Sequence, residues 1–489
     1  MNPFRRIPRS LLPRQLGRAP QFLPPPSITP PTSLLLSRQY SASISAITNA
    51  TSSSTSAYKR TSKPKKPKLT TTIVRNPKAK GARLTNTKRV ELTLNGMPYA
   101  FDNIFLRDAC ACAHCVDPLT QQKLFQTSDI PQDIRPLAAE TLDDGALRIT
   151  WDPETDIPVA NPRRTNHTSL YNAEFLLRYS NHRHIVRHRF NDRAVVLWDR
   201  ELMGEDVVWL DWEEYFSADD SGLYKALKAL SVYGLLFLKN VPSEESSVEK
   251  IAQRIGPLKS TFYGKTWDVK SLPESKNIAY TSLNLGLHMD LLYLDSPPGL
   301  QFLHCLKNTV TGGESYFADS FRAATAVRMS SHPLWNSLLT YPVPYHYHND
   351  GHHYHHVRPV VVLDDTDYRT NKRIAHVNYS PPFQAVFEDA PGDPLFPGRF
   401  RLFGRALEMF ADSVGDPKAQ FNITLKEGVC AIFANRRVLH ARREFDPKNG
   451  ERWLRGAYVD TDAYLSKFRV LGERLRGVGS GDYEYVRDV

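Results

Sequence analysis

The sequence predicts a mainly β protein with helical buttresses: a jelly-roll barrel over 205–480 behind a small β-rich domain over 86–195. Three observations predict it. Short apolar runs bounded by turn residues begin at Val90 and dominate the chain after about 276. Helical periodicity is confined to 220–260 and 400–412. The 489 residues are too many for one ordinary domain, and 41% hydrophobic content is enough for a substantial core.

Residues 1–85 stand apart. From Met1 to Val90 there are 18 Lys and Arg and no Asp or Glu; the first acid is Glu91. This Arg-rich, Ser/Thr-rich, acid-free leader has the composition of a mitochondrial transit peptide, and Arg38-Gln39-Tyr40-Ser41 resembles a matrix-protease cleavage site. The stretch is expected to be disordered after import, with Pro64 to Pro67 in a Lys/Pro linker. Its longest aliphatic run, Leu34 to Leu36, is far short of a membrane span. The rest of the chain holds 45 basic and 52 acidic residues, a net charge of −7, so the overall +11 belongs to the leader. Neither a nucleic-acid partner nor a membrane is expected.

In 86–195, strands are expected at Val90 to Leu94, Leu147 to Trp151 and His184 to Phe190, with a turn at Asp143-Asp144-Gly145. Three of the five cysteines, Cys110, Cys112 and Cys115, fall within six residues, whereas Cys305 and Cys430 are isolated. An odd count with a tight triplet is no disulfide framework; it points to metal binding in a reducing compartment. Three thiolates need a fourth ligand to close a structural zinc site. His114 lies inside the same loop, where it is constrained; three free thiols are the alternative.

Over 205–480, Ser221-Gly222-Leu223 opens a helix through Tyr224 to Val232, and Ser243 before Glu244-Glu245 starts another. Gly234 to Leu238 is a buried strand between them. His346 to His356 holds six histidines in eleven residues at no catalytic spacing. It is read as an exposed loop or strand pair, able to bind metal adventitiously, with no catalytic role.

The chemistry is carried by Leu287-His288-Met289-Asp290 and a late Leu439-His440. On a strand, residues i and i+2 share a face, so His288 and Asp290 reach one metal, and His440 supplies a third ligand. Two imidazoles and a carboxylate form the facial triad of non-haem Fe(II) oxygenases, with the remaining positions open. H-x-D alone is weak in a chain with 16 histidines; Arg452, 12 residues after His440, strengthens it. An Arg fork on the next strand suits bidentate binding of a carboxylate. The bland alternative is core histidines and surface ion pairs.

With these residues in view, the sequence resembles the γ-butyrobetaine dioxygenase and trimethyllysine dioxygenase family within the taurine-dioxygenase-like superfamily, over roughly 86–475. The stretches that carry the resemblance are FLRDACACAHC, TFYGKTWDV, NIAYTSLNLGLHMD, PPGLQFLHCLKNTVTGGES, RRVLHARR and ERWLRGAY. The resemblance implies a double-stranded β-helix, Fe(II) at His288, Asp290 and His440, and the co-substrate 2-oxoglutarate held by Arg452. It also implies help from the hydroxyl of Ser315 after Gly312-Gly313, and ascorbate as reductant. It makes His167, after the Ile149-Thr150-Trp151 strand, the fourth zinc ligand. The reaction implied is oxidative decarboxylation of 2-oxoglutarate coupled to hydroxylation of a C–H bond.

For the substrate, the resemblance implies an aromatic cage of Tyr263, Trp267, Tyr280 and Tyr458 around a trimethylammonium group, which aromatic faces attract by cation–π interaction. Asn277 matches a residue that contacts the substrate carboxylate. Where animal members have a second Asn, this chain has Ser380 in Val377-Asn378-Tyr379-Ser380-Pro381-Pro382, which leaves the identity of the acid open. The TFYGKTWDV stretch favours γ-butyrobetaine, converted to L-carnitine in the last step of carnitine biosynthesis. Trimethyllysine carries an extra α-amino group, whose acceptor this sequence does not obviously supply. Another small-acid oxygenase and a catalytically inactive β-domain binding protein are the further alternatives. The chain is compatible with a homodimer.

Overall fold

A computed structural model describes residues 79–86, 88–157, 165–182, 184–185, 195–270, 282–364, 373–388, 398–448 and 450–476. The leader up to residue 78 lies outside them, so its transit and cleavage features have no structural counterpart here.

The chain begins with β1 (Ala79–Asn86), β2 (Arg89–Leu94) and β3 (Met97–Asp102), which pair in that order. Residues 79–85 were expected to be linker; they form a strand because β2 offers them an antiparallel partner, from Ala79 opposite Leu94 to Asn86 opposite Arg89. A second small sheet joins β4 (Pro136–Thr141), β5 (Leu147–Trp151) and β6 (Thr168–Tyr171). Alternation on β2 and β5 turns Val90, Leu92, Leu147, Ile149 and Trp151 inward. They share one core with Leu106, Tyr171 and Leu176. The strand expected at His184 to Phe190 is not seen: His184 and Ile185 are helical, with Asn181 Oδ1 accepting from the His184 amide at 3.0 Å, and 186–190 lie outside the described residues.

The remaining strands are β7 (Val208–Asp211), β8 (Leu235–Lys239), β9 (Thr266–Lys270), β10 (Leu285–His288), β11 (Leu300–Asn308), β12 (Ser315–Asp319), β13 (Val343–Asn349), β14 (His352–Arg358), β15 (Val361–Leu363), β16 (Ile374–Val377), β17 (Gln420–Ile423), β18 (Cys430–Ala434), β19 (Val438–Arg442) and β20 (Arg452–Val459). A six-stranded sheet, β7-β8-β18-β11-β20-β9, faces a four-stranded sheet, β10-β19-β12-β17. The pairings are antiparallel except β7 with β8.

The period of two sorts the six-stranded sheet into two cores. Leu236, Leu238, Phe302 and Ile432 point outward to helices Ser221–Val232, Ser247–Ile255 and Thr461–Arg476. Leu235, Phe237, Leu303 and Phe433 point inward to meet Phe317 and Val438. Helix Ser247–Ile255 presents Val248, Ile251, Ala252 and Ile255, a one-sided stripe; it starts four residues beyond the Ser243 signal. The helix expected near 400–412 spans Arg399–Gly415 and buries Phe403, Ala406, Phe410 and Val414.

Candidate active site

The iron-type donors meet where β10 and β19 pair. His288 stands opposite His440 in the register, and their ring centroids are 4.1 Å apart. His288 Nε2 lies 3.3 Å and His440 Nε2 3.8 Å from Asp290 Oδ1, so three donors converge on one point. The i, i+2 argument holds in outcome but not in mechanism. β10 ends at His288, and Asp290 sits in the following turn, with Leu291 at φ +59°. What aims the carboxylate is Asn435. It accepts from the Asp290 amide at 2.9 Å and donates to the Asp290 carbonyl at 3.0 Å.

The surroundings prepare these groups for a cation. The Tyr458 hydroxyl donates to Asp290 Oδ2 at 2.6 Å. Burial works against the Asp290 carboxylate, but His440, His288 and Tyr458 outweigh it and hold its pKa below the usual range. Burial, then His288, pulls His440 down to about 3, so its imidazole stays neutral as a metal ligand must be. His288 Nδ1 faces the Gly286 carbonyl at 2.8 Å, which fixes the orientation of the ring. Two imidazoles and one carboxylate beside a cavity fit Fe(II) with open positions.

Arg452 begins β20 and opens into the same cavity with Ser315, Arg442, Gln301 and Leu303. Its Nε is buried without a hydrogen-bond partner. Burial, then neighbouring Arg442, lowers its pKa to about 10. A buried guanidinium beside a second one calls for an anion, and a dicarboxylate such as 2-oxoglutarate fits. Gly313 stands against this side chain: its φ of +69° favours glycine, and a Cβ there would lie 3.4 Å from Arg452 Nε, at ordinary contact.

Trp267 on β9 stands opposite Gly456 of β20 and stacks on Tyr458 at 3.9 Å, 24° from parallel. A Cβ on Gly456 would sit 2.5 Å from Trp267 Cζ2, so only glycine leaves room for the ring. Tyr263, Trp267 and Tyr458 line the cavity. Tyr293 and Phe383 complete the aromatic wall and were missed in the sequence, where nothing sets them apart from core aromatics. Asn277 and Tyr280 lie outside the described residues. Ser380 is 1% exposed with an unpartnered hydroxyl, yet the cavity wall is reached by Phe383, three residues on.

The second cluster holds Cys110, Cys112, Cys115 and His167. His167 Nε2 lies 3.4, 3.5 and 3.6 Å from the three sulfurs in turn. Bonds of about 2.3 Å to sulfur and about 2.0 Å to nitrogen at a tetrahedral angle put N and S about 3.5 Å apart, so these separations fit a zinc ion. The Trp151 amide donates to the His167 carbonyl at 2.8 Å and ties it to the end of β5. Arg107 Nη1 donates to Cys115 Sγ at 3.1 Å, and Asp156 stands 3.8 Å from His167 Nδ1 as an outer carboxylate. A hydrogen bond with Cys115 holds the Cys110 thiol below its usual range, with His167 adding to the effect against burial.

A barrel of this kind with a His-Asp-His face and a buried arginine defines a non-haem iron oxygenase. The chain belongs to the taurine catabolism dioxygenase TauD, TfdA family, matched over residues 200–458, and is an Fe(II)- and 2-oxoglutarate-dependent dioxygenase. Residues 83–159 match a second family, gamma-butyrobetaine hydroxylase-like, N-terminal. Among curated proteins, the chain is 39% identical to dioxygenase str8 of Strobilurus tenacellus, over 75% of this chain and 84% of that one. It is 33% identical to gamma-butyrobetaine dioxygenase of Pseudomonas sp. (strain AK-1), over 77% and 92%. It is 30% identical to mitochondrial trimethyllysine dioxygenase of Mus musculus, over 78% and 85%. A solved taurine dioxygenase from Burkholderia xenovorans superposes with a TM-score of 0.39 at 15% identity, over 53% and 91%.

Proposed function

We propose that this dioxygenase hydroxylates γ-butyrobetaine at the carbon β to its carboxylate, giving L-carnitine. The observation that carries the reading is the aromatic wall of Tyr263, Trp267, Tyr293 and Tyr458 beside the His288–Asp290–His440 face. A quaternary ammonium cannot donate hydrogen bonds and is recognised by such faces. Among the described residues lining the cavity, Asp290 is the only acid, and it is committed to the metal face. Trimethyllysine would leave its α-ammonium without a carboxylate there, which favours the shorter acid. The relative from Pseudomonas supports the same reading.

His288, Asp290 and His440 would hold the iron, and Arg452, with Ser315, the distal carboxylate of 2-oxoglutarate. With iron, 2-oxoglutarate and O2 bound together, the site would supply an oxidative decarboxylation of 2-oxoglutarate to succinate and carbon dioxide, with one atom of the O2 going to succinate and the other to the substrate C–H bond. The chain's own contribution is placement. Tyr458 fixes the Asp290 carboxylate through its hydroxyl, and Trp267, stacked on Tyr458, sets the position of the cationic end. Asn277 is assigned the substrate carboxylate from the resemblance; Ser380 does not line the cavity, and the Ser380 assignment rests on the resemblance as well. A short chain held at both ends presents its middle carbons to the metal.

The same reading gives 86–195 a structural zinc on Cys110, Cys112, Cys115 and His167, and puts the enzyme in the mitochondrion on the strength of its acid-free leader. The test is turnover of 2-oxoglutarate by iron-loaded enzyme, with ascorbate, against a panel of trimethylammonium acids. γ-Butyrobetaine should be consumed with carnitine as product. Good turnover of trimethyllysine and none of γ-butyrobetaine would overturn the substrate while leaving the oxygenase intact.

A further inference from the structure

The histidine run absorbed by no part of the reaction is a two-stranded ribbon. β13 and β14 pair with His346 opposite His355 and His348 opposite His353. Strand alternation places these four histidines on one face, and all four are exposed. The other face carries Tyr345, Tyr347 and Tyr354. Tyr347 and Tyr354 pack on Phe262, each at 5.0 Å, and against Tyr293, which lines the active cavity.

An exposed sheet face asks only for polar or β-branched residues, so Thr, Lys or Glu would serve folding as well. Four imidazoles at four cross-strand positions have no folding reason. They do have a coordination reason. Directly opposed Cβ atoms lie about 5 Å apart, and neighbours along a strand about 7 Å apart, so imidazoles at such positions can converge on one ion about 2.0 Å from each nitrogen. His353 and His355 stand at i and i+2 on one strand, with His348 across from them. This repeats the logic of the iron face, where two ligands come from one segment and the third from the neighbouring antiparallel strand. The His348 and His353 rings stack at 4.2 Å at exposed positions; unlike those of the iron face, the ribbon's donors do not converge in this conformation, so an ion would have to draw the rings together. His355 Nε2 lies 2.9 Å from Glu388 Oε1, a carboxylate placed to orient the ring so that Nδ1 faces the ion.

We propose that the outer face of this ribbon is a further metal site. It takes a divalent first-row transition ion of the zinc type on His348, His353 and His355, with His346 beside them, and the ion clamps the ribbon over the aromatic wall of the active cavity. Imidazole donors suit zinc, copper and nickel, not magnesium or calcium.

The experiment titrates zinc into iron-loaded enzyme holding 2-oxoglutarate, with the ion count read by a competing chromophoric chelator. Wild type should take up one more ion per chain than the His348→Gln, His353→Gln double variant, both positions being exposed and outside every core. Hydrogen exchange across 343–358 is the second measurement. At zinc 100-fold above Kd, opening of the ribbon should be suppressed about 100-fold in wild type and unchanged in the variant. Equal ion uptake by the two proteins, or uptake without slowed exchange in wild type, would overturn the proposal.

Discussion

Gly456→Ala tests the cage through a residue that touches no metal ligand. A methyl group at this position would sit 2.5 Å from Trp267 Cζ2 and 2.8 Å from Nε1. Ordinary carbon contact begins at about 3.5 Å, so the indole must retreat by roughly 1 Å. It cannot retreat and keep its 3.9 Å stack on Tyr458 at the same angle. A good cation–π contact is worth about 0.5–2 kcal/mol, so KM for γ-butyrobetaine should rise roughly 2- to 30-fold. Decarboxylation of 2-oxoglutarate without substrate should stay near the wild-type rate, because His288, Asp290, His440 and Arg452 keep their places. The assay is initial-rate product formation by mass spectrometry, with succinate measured in parallel and Trp267→Ala as reference. Should Trp267→Ala raise KM and Gly456→Ala leave it at the wild-type value, the claim that glycine makes room for the ring is refuted. Should neither move KM, Trp267 is no part of the cage.

Other outcomes follow from the same geometry. His288→Ala, Asp290→Ala and His440→Ala should each abolish succinate formation and hydroxylation together; more than a few per cent activity at normal iron content would refute the ligand set. Arg452→Ala should raise KM for 2-oxoglutarate roughly 10- to 150-fold, the cost of one hydrogen bond to a charged group, with little change for γ-butyrobetaine; equal changes in both would argue against its assignment. Cys112→Ser should lower both zinc content and Tm, since the free energy of metal binding is folding free energy; zinc-free protein never exposed to chelator would contradict this, and unchanged zinc in His167→Ala would contradict only the fourth ligand.

What was legible from the sequence is what spacing encodes. His288, His440 and Arg452 were readable from strand spacing and the next-strand offset; Asp290 was reached by the i, i+2 rule although it lies in the turn after β10, where Asn435 and not strand alternation aims it. Cys110, Cys112 and Cys115 were readable because thiolates so close have few other uses. His167, 52 residues beyond Cys115, was reachable only through the resemblance, since no local rule says that β5 returns it to the triplet. Tyr293, Phe383 and Gly456 were not legible. The two aromatics differ from core residues only in the cavity they border, and a glycine in a strand gives no sign of which ring fills the space beside it. The ribbon was half legible: strand pairing was an open alternative, but the register that sets His348 against His353 appears only in the folded chain.

Tyr458 shows why position in the barrel weighs more than residue type. By composition it is one of 22 tyrosines, and by resemblance a cage residue. In the structure its ring is stacked against Trp267 and its hydroxyl donates to Asp290, so a single side chain joins the aromatic wall of the cavity to the His288–Asp290–His440 face. Removing only the hydroxyl, as in Tyr458→Phe, keeps the aromatic face and deletes the bond. If the cage role were the whole of it, KM for γ-butyrobetaine and iron affinity would both stay at wild-type values. Because the hydroxyl also fixes the Asp290 carboxylate, the expected result is weaker iron binding with KM near normal, as loss of an outer-shell partner typically costs 10- to 100-fold in metal affinity. Iron titration followed by the 2-oxoglutarate charge-transfer band separates the two effects. Unchanged iron affinity in Tyr458→Phe would confine Tyr458 to the substrate wall.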